Sequence, residues 1–475
     1  MSDTVHVADT RGGASTAGAS MTPARELQPT TAAKPSGIIE AMSRTQDTNV
    51  FVHGVTSIGN LAGVNLNDEE SHRALFFAGE QDIVVVPSAV DGDFLDYMLE
   101  LGMTPPIDRI VVASDGAAPS PNGSMAETLM SNPGALSRLG TMCGASGVVL
   151  NPFIATEVEW RLADALGATI GRSVRVIGAP ADRVRNANMK HVIRERAAQC
   201  GVPVAPAAVV RMRHGSAPAD QARLSAILAE CLTVSGRVVV KGSFGASGSS
   251  TFIVEADRDI AVCTQLIANR EDNDIYIVEP FFDVICSPNV VMWIDPESGD
   301  ISCVSVNDQR VDSRLVFAGS VFPTVASLLP AMIDSAARLT SVLKEEGFSG
   351  AAGFDFCEYE NSQTGVREYF LSELNARING GMYATALMER VNGIQGQRGL
   401  NPVTALRSAN LFGAPTNFAA VRERCGGLMF DGVRGTGVIP FNPGRLAAGK
   451  VTVACLGADA ETVEELLTDV RAVLN

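Results

Sequence analysis

Ala351-Ala352-Gly353-Phe354-Asp355-Phe356-Cys357-Glu358-Tyr359 and, after a polar turn, Glu368-Tyr369-Phe370-Leu371-Ser372-Glu373-Leu374-Asn375-Ala376-Arg377-Ile378-Asn379-Gly380-Gly381 carry the most information in this chain. Each begins as a short run rich in aromatic and apolar residues, the signature of a strand. Strand alternation puts Glu373 and Asn375 on one face and Leu374 on the other, so two oxygen-bearing side chains point together. Asp355, on the preceding strand, adds a third. Mg2+ prefers such hard oxygens and usually takes one or two carboxylates together with substrate phosphates. Arg377, two positions further on, carries the planar fork that matches carboxylate or phosphate geometry. A solvated strand end with a surface ion pair is the plainer alternative, and the flanking apolar runs weigh against it.

Two lysines lie upstream. Lys190 opens a helix whose apolar positions, Met189, Val192, Ile193, Ala197 and Cys200, recur at helical spacing until Gly201-Val202-Pro203 stops it. Lys241 ends the strand VVVKG and enters Gly242-Ser243-Phe244-Gly245-Ala246-Ser247-Gly248-Ser249-Ser250, after which TFIVE forms the second arm of a hairpin-like pair. Glycine tolerates positive φ, so Gly242, Gly245 and Gly248 can turn backbone N–H groups toward phosphate oxygens, and Ser243 and Ser247 add hydroxyl donors. A flexible surface hairpin fits the loop alone equally well. Next comes IYIVEPFF (Ile275 to Phe282), a strand running into Glu279. Backbone around Val278 to Phe281 could meet an adenine edge, with Phe281 and Phe282 as an apolar wall. The segment from Val306 to Pro323 carries Gln309, Arg310, Asp312 and Arg314, and reads either as a solvated loop or as the border of an acceptor site.

The frame around these pieces is a large acidic protein. At 475 residues and roughly 100–200 residues per domain, about three domains are expected. Lys plus Arg number 37 against 53 Asp plus Glu, and a net charge of −16 repels phosphate backbones and anionic lipid, which excludes nucleic acid and membrane surfaces as partners. Nine scattered cysteines without C-x-x-C pairs argue for reduced thiols, no structural zinc and a cytoplasmic address. Residues 1–47 lack a repeating apolar face and read as a disordered tail. Residues 48–178, with NVFVHG, DIVVVPS and RIVVAS separated by helix-like stretches, read as an open α/β domain. Residues 179–418 hold the chemistry, and 419–475 read as a small α+β module with strands GTGVIPF and VTVACLG.

In this order the pieces resemble the ATP-grasp superfamily. The resemblance spans about residues 180 to 385, and its most specific part, Glu373 to Gly381, looks like the carboxylate-amine ligases that join amino acids. The flanks are similar to bacterial natural-product ligases with a pre-ATP-grasp domain, the pheganomycin-type peptide ligase among them. The resemblance implies an ATP-grasp fold and an ADP-forming ligation of a carboxylate to an amine through an acyl phosphate. It further implies that Lys190 and Lys241 hold phosphates under a lid running from Ser243 to Gly248, that Val278, Glu279 and Phe281 contact adenine, and that Asp355, Glu373 and Asn375 bind two Mg2+ while Arg377 steadies the acyl phosphate. Substrates would be small amino acids or peptides, with Gln309, Arg310 and Arg314 toward the acceptor; a carrier protein is the alternative acceptor, and a homodimer the default assembly. Two positions depart from the pattern. Gly353 stands where many relatives have a basic residue, and the usual acidic ribose ligand is missing, leaving Asn289 as a stand-in.

Two other signals are rejected. Gly444, Gly449 and Lys450 fit G-x-x-x-x-G-K, but Val451 replaces the metal-reaching hydroxyl and a strand follows. His53 to Asn60 follows a strand without G-x-G-x-x-G, and His53 and His191 read as packing residues. A protein that senses ATP without turnover is the rival of another class, and the intact Asp355, Glu373 and Asn375 set opposes it.

Overall fold

The structure, a computed structural model, describes residues 37–43, 47–61, 66–103, 107–116, 123–212, 214–245, 250–313 and 315–474. Among the described residues the strands form three sheets. The first is parallel: β1 (Thr48–Val52), β2 (Ile83–Val86), β3 (Ile110–Val112), β4 (Val148–Pro152) and β5 (Arg175–Val176), in the order β3-β2-β1-β4-β5. β1, β2 and β4 are buried along their whole length, as befits a parallel sheet packed on both faces. The order reverses between β1 and β4, so a crevice opens at their carboxyl ends, beside His53 and Asn151.

Residues 1–36 of the expected tail lie outside the described residues, and within the remainder of that segment a helix forms. Ile38–Ser43 is a helix that buries Ile38, Ala41 and Met42, and its first amides, on Ile38 and Ile39, donate to the Glu389 carboxylate at 2.8 and 2.9 Å. Three apolar residues in one short turn are too few to show as periodicity, and Glu389, which satisfies the helix end, is far away in the chain.

The second sheet is β6 (Ala208–Arg211), β7 (Val238–Gly242), β8 (Thr251–Val254) and β9 (Ile275–Pro280), antiparallel in the order β6-β9-β7-β8. Helices Pro218–Ser235 and Asp257–Ala268 cover one face, where Val238, Val240, Tyr276 and Val278 join Leu224, Leu228 and Ile267 in a separate small core. Alternation therefore turns Lys241, Ile277 and Glu279 to the opposite face. That face borders the cleft.

The third sheet comprises β10 (Val284–Cys286), β11 (Pro288–Ile294), β12 (Ile301–Val311), β13 (Phe317–Phe322), β14 (Gly350–Glu360), β15 (Arg367–Asn375), β16 (Ala405–Phe412), β17 (Gly437–Asn442) and β18 (Lys450–Gly457). Its order is β10-β14-β11-β12-β13-β16-β18-β17, with β15 on β14. The helix Leu329–Glu345 packs across β11, β12 and β14 on one face, and Ala352, Phe354 and Phe356 are buried. Gly353, Asp355 and Cys357 take the other face. β16 pairs with both β13 and β18, so the strands of 419–475 extend this sheet rather than forming one of their own. No helix among the described residues is long and apolar enough to cross a membrane.

Candidate active site

Three strands bring the oxygen donors together. Asp355 lies opposite Asn289 on β11 and opposite Glu373 on β15, while Asn375 lies opposite Gly353. The β14–β15 register shifts beside Asp355, leaving Ser372 as an extra residue on β15. The Asp355 carboxylate accepts from Asn289 Nδ2 at 2.5 Å, from Asn375 Nδ2 at 2.8 Å and from Gln309 Nε2. Burial, and then the charge on Glu373, push its pKa up to about 7. Burial also opposes ionisation of Glu373, but the charges of Lys190, Arg377 and Lys241 together hold that carboxyl below its ordinary value. Two half-buried carboxylates side by side, framed by amide groups, are the hard-oxygen set that Mg2+ takes, and Asp355, Glu373 and Asn375 fit that ion.

Gly353 is explained by the same packing. A Cβ there would sit 2.2 Å from Asn379 Nδ2 and 3.0 Å from Asn289 Nδ2, so a side chain would displace the Asn379 amide. Asn379 also donates to Asn289 Oδ1 at 3.2 Å and caps the helix Gly380–Gln397.

The cations enter from the second sheet and from the helix before it. Lys190 Nζ lies 3.0 Å from Glu373 Oε1, and Lys190 N donates to Ser243 O at 2.7 Å, tying the helix Lys190–Gln199 to the glycine-serine loop. Lys241 Nζ lies 2.8 Å from Glu279 Oε2 and 3.2 Å from Ser372 Oγ. Arg194 Nη1 holds the other Glu279 oxygen at 2.9 Å. Burial alone would lower the Lys241 pKa, and Glu279, followed by Cys357 and Glu373, turns the net shift upward. These groups line one cleft with Ile193, Ile277 and Leu371. The loop base is fixed by Asn273, whose Oδ1 accepts from Phe244 N at 2.8 Å and whose Nδ2 donates to Phe244 O at 2.6 Å. Gly245 is the last described residue of that loop; Ser247 and Gly248 lie outside the described residues, as does Arg314.

Several sequence expectations change. Glu279 is a buried carboxylate joining two cations, a role additional to the backbone contact expected at the hinge. Phe281 N donates to Arg237 O at 2.9 Å, and the Arg237 guanidinium covers its ring at 3.9 Å, so that amide is already engaged. Asn289 sits on Asp355, not beside the hinge, because its strand position places it across from β14. Val306 to Pro323 is mostly the β12–β13 pair rather than a loop. Alternation along β12 brings Gln309 to Asp355 and turns Arg310, which is exposed, to the opposite face near Arg407. Lys450 of the rejected phosphate-loop pattern pairs with Glu70 at 2.5 Å and begins β18.

Arg377 reaches toward the first domain. Its guanidinium lies 5.5 Å from the Phe153 ring, Nη1 donates to Ile378 O at 3.3 Å, and Ile378 N donates to Phe153 O at 3.0 Å. Tyr383 is close by, covered by Arg73 at 4.1 Å and hydrogen-bonded to His53 Nδ1 at 2.9 Å. Burial, followed by the charge of Arg73, lowers the His53 pKa to about 3, so this ring is neutral. Arg73, Arg194 and Tyr383 gave no sequence signal, since each acts through partners distant in the chain.

Comparison with known proteins identifies two domains in this chain. The pre-ATP-grasp domain model matches residues 71–168, and an ATP-grasp domain model matches residues 216–381. The chain thus belongs to the ATP-grasp superfamily, with a pre-ATP-grasp domain ahead of the nucleotide-binding fold. No curated protein matches the sequence significantly. Among solved structures, N5-carboxyaminoimidazole ribonucleotide synthetase from Thermus thermophilus is 14% identical with a TM-score of 0.50, covering 90% of this chain and 98% of that one. The Staphylococcus aureus N5-carboxyaminoimidazole synthetase complexed with ADP is 11% identical, TM-score 0.52, covering 90% and 97%. Biotin carboxylase from Campylobacter jejuni is 11% identical, TM-score 0.53, covering 90% and 92%. At these identities the likeness is one of fold.

Proposed function

We propose that this chain is an ADP-forming ligase that joins a carboxylate to the amine of an amino acid or peptide, in natural-product biosynthesis. The observation that carries the reading is a chain of contacts: Lys190 and Lys241 line one cleft, Lys190 pairs with Glu373, Asn375 donates to Asp355, and the Arg377 charge acts on both carboxylates. The ADP complex among the similar structures supports a nucleotide there.

The chemistry follows from the side chains. A substrate carboxylate oxygen attacks the γ-phosphorus of ATP; an O–P bond forms, the bond to the β-phosphate oxygen breaks, and ADP leaves. The amine nitrogen then attacks the acyl carbon, a C–N bond forms, the C–O bond breaks, phosphate leaves and the amine's proton passes to solvent. Lys190 and Lys241 neutralise charge on the phosphoryl oxygens, and Arg377 holds the acyl phosphate. Asp355, Glu373 and Asn375 would hold Mg2+, which supplies charge neutralisation when bound. The glycine-serine loop excludes water that would hydrolyse the acyl phosphate.

Mass spectrometry after incubation with ATP, Mg2+ and pooled acids, amino acids and peptides tests this. A new amide accompanied by ADP supports it, whereas tight ATP binding without any product favours a nucleotide sensor.

A further inference from the structure

A second pocket opens where the first domain meets the third sheet, at the carboxyl end of β4 and beside the β1/β4 crossover. Asn151, Phe153, Ile177, Trp293, Phe348 and Arg377 line it. Its position relative to the carboxylates follows from the register. Asn289, Val291 and Trp293 lie opposite Asp355, Gly353 and Ala351 and share their face, so Trp293 stands four residues along β11 from Asn289, roughly 13 Å at strand rise. Arg377, two residues past Asn375, spans the interval. The pocket therefore meets the reacting groups through Arg377, and Phe153, Ile177 and Phe348 give it apolar walls.

The free polar atoms are one-sided. Asn151 Nδ2, Trp293 Nε1 and Arg377 Nε are buried and have no hydrogen-bond partner. Asn151 and Trp293 are 1% and 2% exposed, so solvent does not satisfy them. All three are donors, and no described residue lining the pocket is a carboxylate. Buried donors left unpaired are costly, so they ask for acceptor oxygens. A free ammonium brought here would meet an arginine and two N–H groups with no carboxylate lining the pocket to balance its charge, which disfavours it. The carboxylates whose charges act on Arg377, Glu373 and Asp355, already face Lys190 and amides.

We propose that this pocket receives the acid substrate, and that this acid is an apolar carboxylic acid with no free ammonium beside its carboxylate, such as an N-acylated amino acid or a peptide C-terminus. Arg377 takes the carboxylate, Trp293 and Asn151 take further carbonyl oxygens, and the apolar walls take the side chain. Free amino acids then enter as the amine. The inference rests on the ligase reading and narrows it.

Hydroxylamine trapping separates the two. With ATP, Mg2+ and hydroxylamine in place of the natural amine, an activated acid accumulates as its hydroxamate. N-acetylated leucine and phenylalanine are each compared with the free amino acid. Hydroxamate is expected from the acetylated acids, with kcat/KM at least about tenfold above the free forms. Trp293→Phe, which keeps the ring and removes the N–H, should raise KM for the acetylated acid about tenfold, leave the affinity for ATP within about twofold, and leave the Tm near that of the unsubstituted protein. Asn151→Ala provides a second variant should Trp293→Phe fail to fold. Equal or better activation of free amino acids, or an unchanged KM in both variants, overturns the assignment and leaves the ligase reading standing. No hydroxamate from any acid, with ATP bound, overturns both.

Discussion

Replacing Glu279 by glutamine tests whether charge holds the nucleotide cleft in shape. Its carboxylate is 5% exposed and accepts from Lys241 at 2.8 Å and Arg194 at 2.9 Å. Glutamine keeps the outline and removes the negative charge, leaving two poorly solvated cations around a neutral amide. Breaking a buried ion pair from one side typically costs about 3–5 kcal/mol. Lys241 retains Ser372 Oγ at 3.2 Å, so the lower end, about 3 kcal/mol, is the working figure. At about 1.4 kcal/mol per factor of ten, hydrogen exchange of the β7 and β9 amides should speed up by roughly two orders of magnitude. A second consequence concerns protonation. Burial lowers the Lys241 pKa and Glu279 is the foremost group raising it, so in the variant the ammonium loses its proton at lower pH than in the unsubstituted protein. ATP affinity should accordingly fall off earlier as pH rises. Exchange mass spectrometry and ATP titrations across pH give both readings. Exchange rates within about threefold of the parent, together with an unshifted affinity profile, would refute the reasoning.

Other consequences are as direct. Glu373→Gln and Arg377→Ala should each lower turnover by about 10²-fold or more while the circular dichroism spectrum and Tm stay near normal; near-parental rates in both would remove the site assignment. Asp355 has a folded-state pKa of about 7, above its unfolded value near 4, so it contributes a loss of stability as pH rises through that window. In metal-free, nucleotide-free protein, the drop in Tm from pH 5 to pH 8 should be smaller for Asp355→Asn than for the parent; equal drops contradict this. Removing residues 1–36, which carry none of the proposed groups, should leave ADP release intact. Removal through residue 45 also strips the helix Ile38–Ser43 from Glu389 and should cost about 1–3 kcal/mol in urea unfolding. Gly350→Ala should destabilise by at least about 1–2 kcal/mol, because φ there is +85° and a Cβ would meet Ile177 Cγ2 at 2.2 Å; an unchanged Tm would count against the domain contact.

What the sequence made legible is what depends on local pattern. Alternation along β15 correctly paired Glu373 with Asn375, the strand-loop-strand around Lys241 is the hairpin expected, and Lys190 opens its helix. What it hid depends on which strands become neighbours. Asn289 looked like a stand-in for the ribose ligand, yet cross-strand pairing sets it against Asp355. Gln309 and Arg310 looked alike as substrate residues, and a single step of the pleat sends one to the carboxylates and the other to the opposite face. Glu279 lies 85 residues from Arg194, and no spacing rule joins them. The strands after residue 419 look like a module of their own until β16 and β18 are seen to pair.

The most direct measurement follows the oxygen. Once an accepted acid is known, it is supplied with oxygen-18 in its carboxylate, and the phosphate released alongside ADP is weighed. Attack of the carboxylate on the γ-phosphorus predicts one labelled oxygen in each phosphate released with amide. Unlabelled phosphate at full ATP consumption, or AMP in place of ADP, would contradict the acyl-phosphate account.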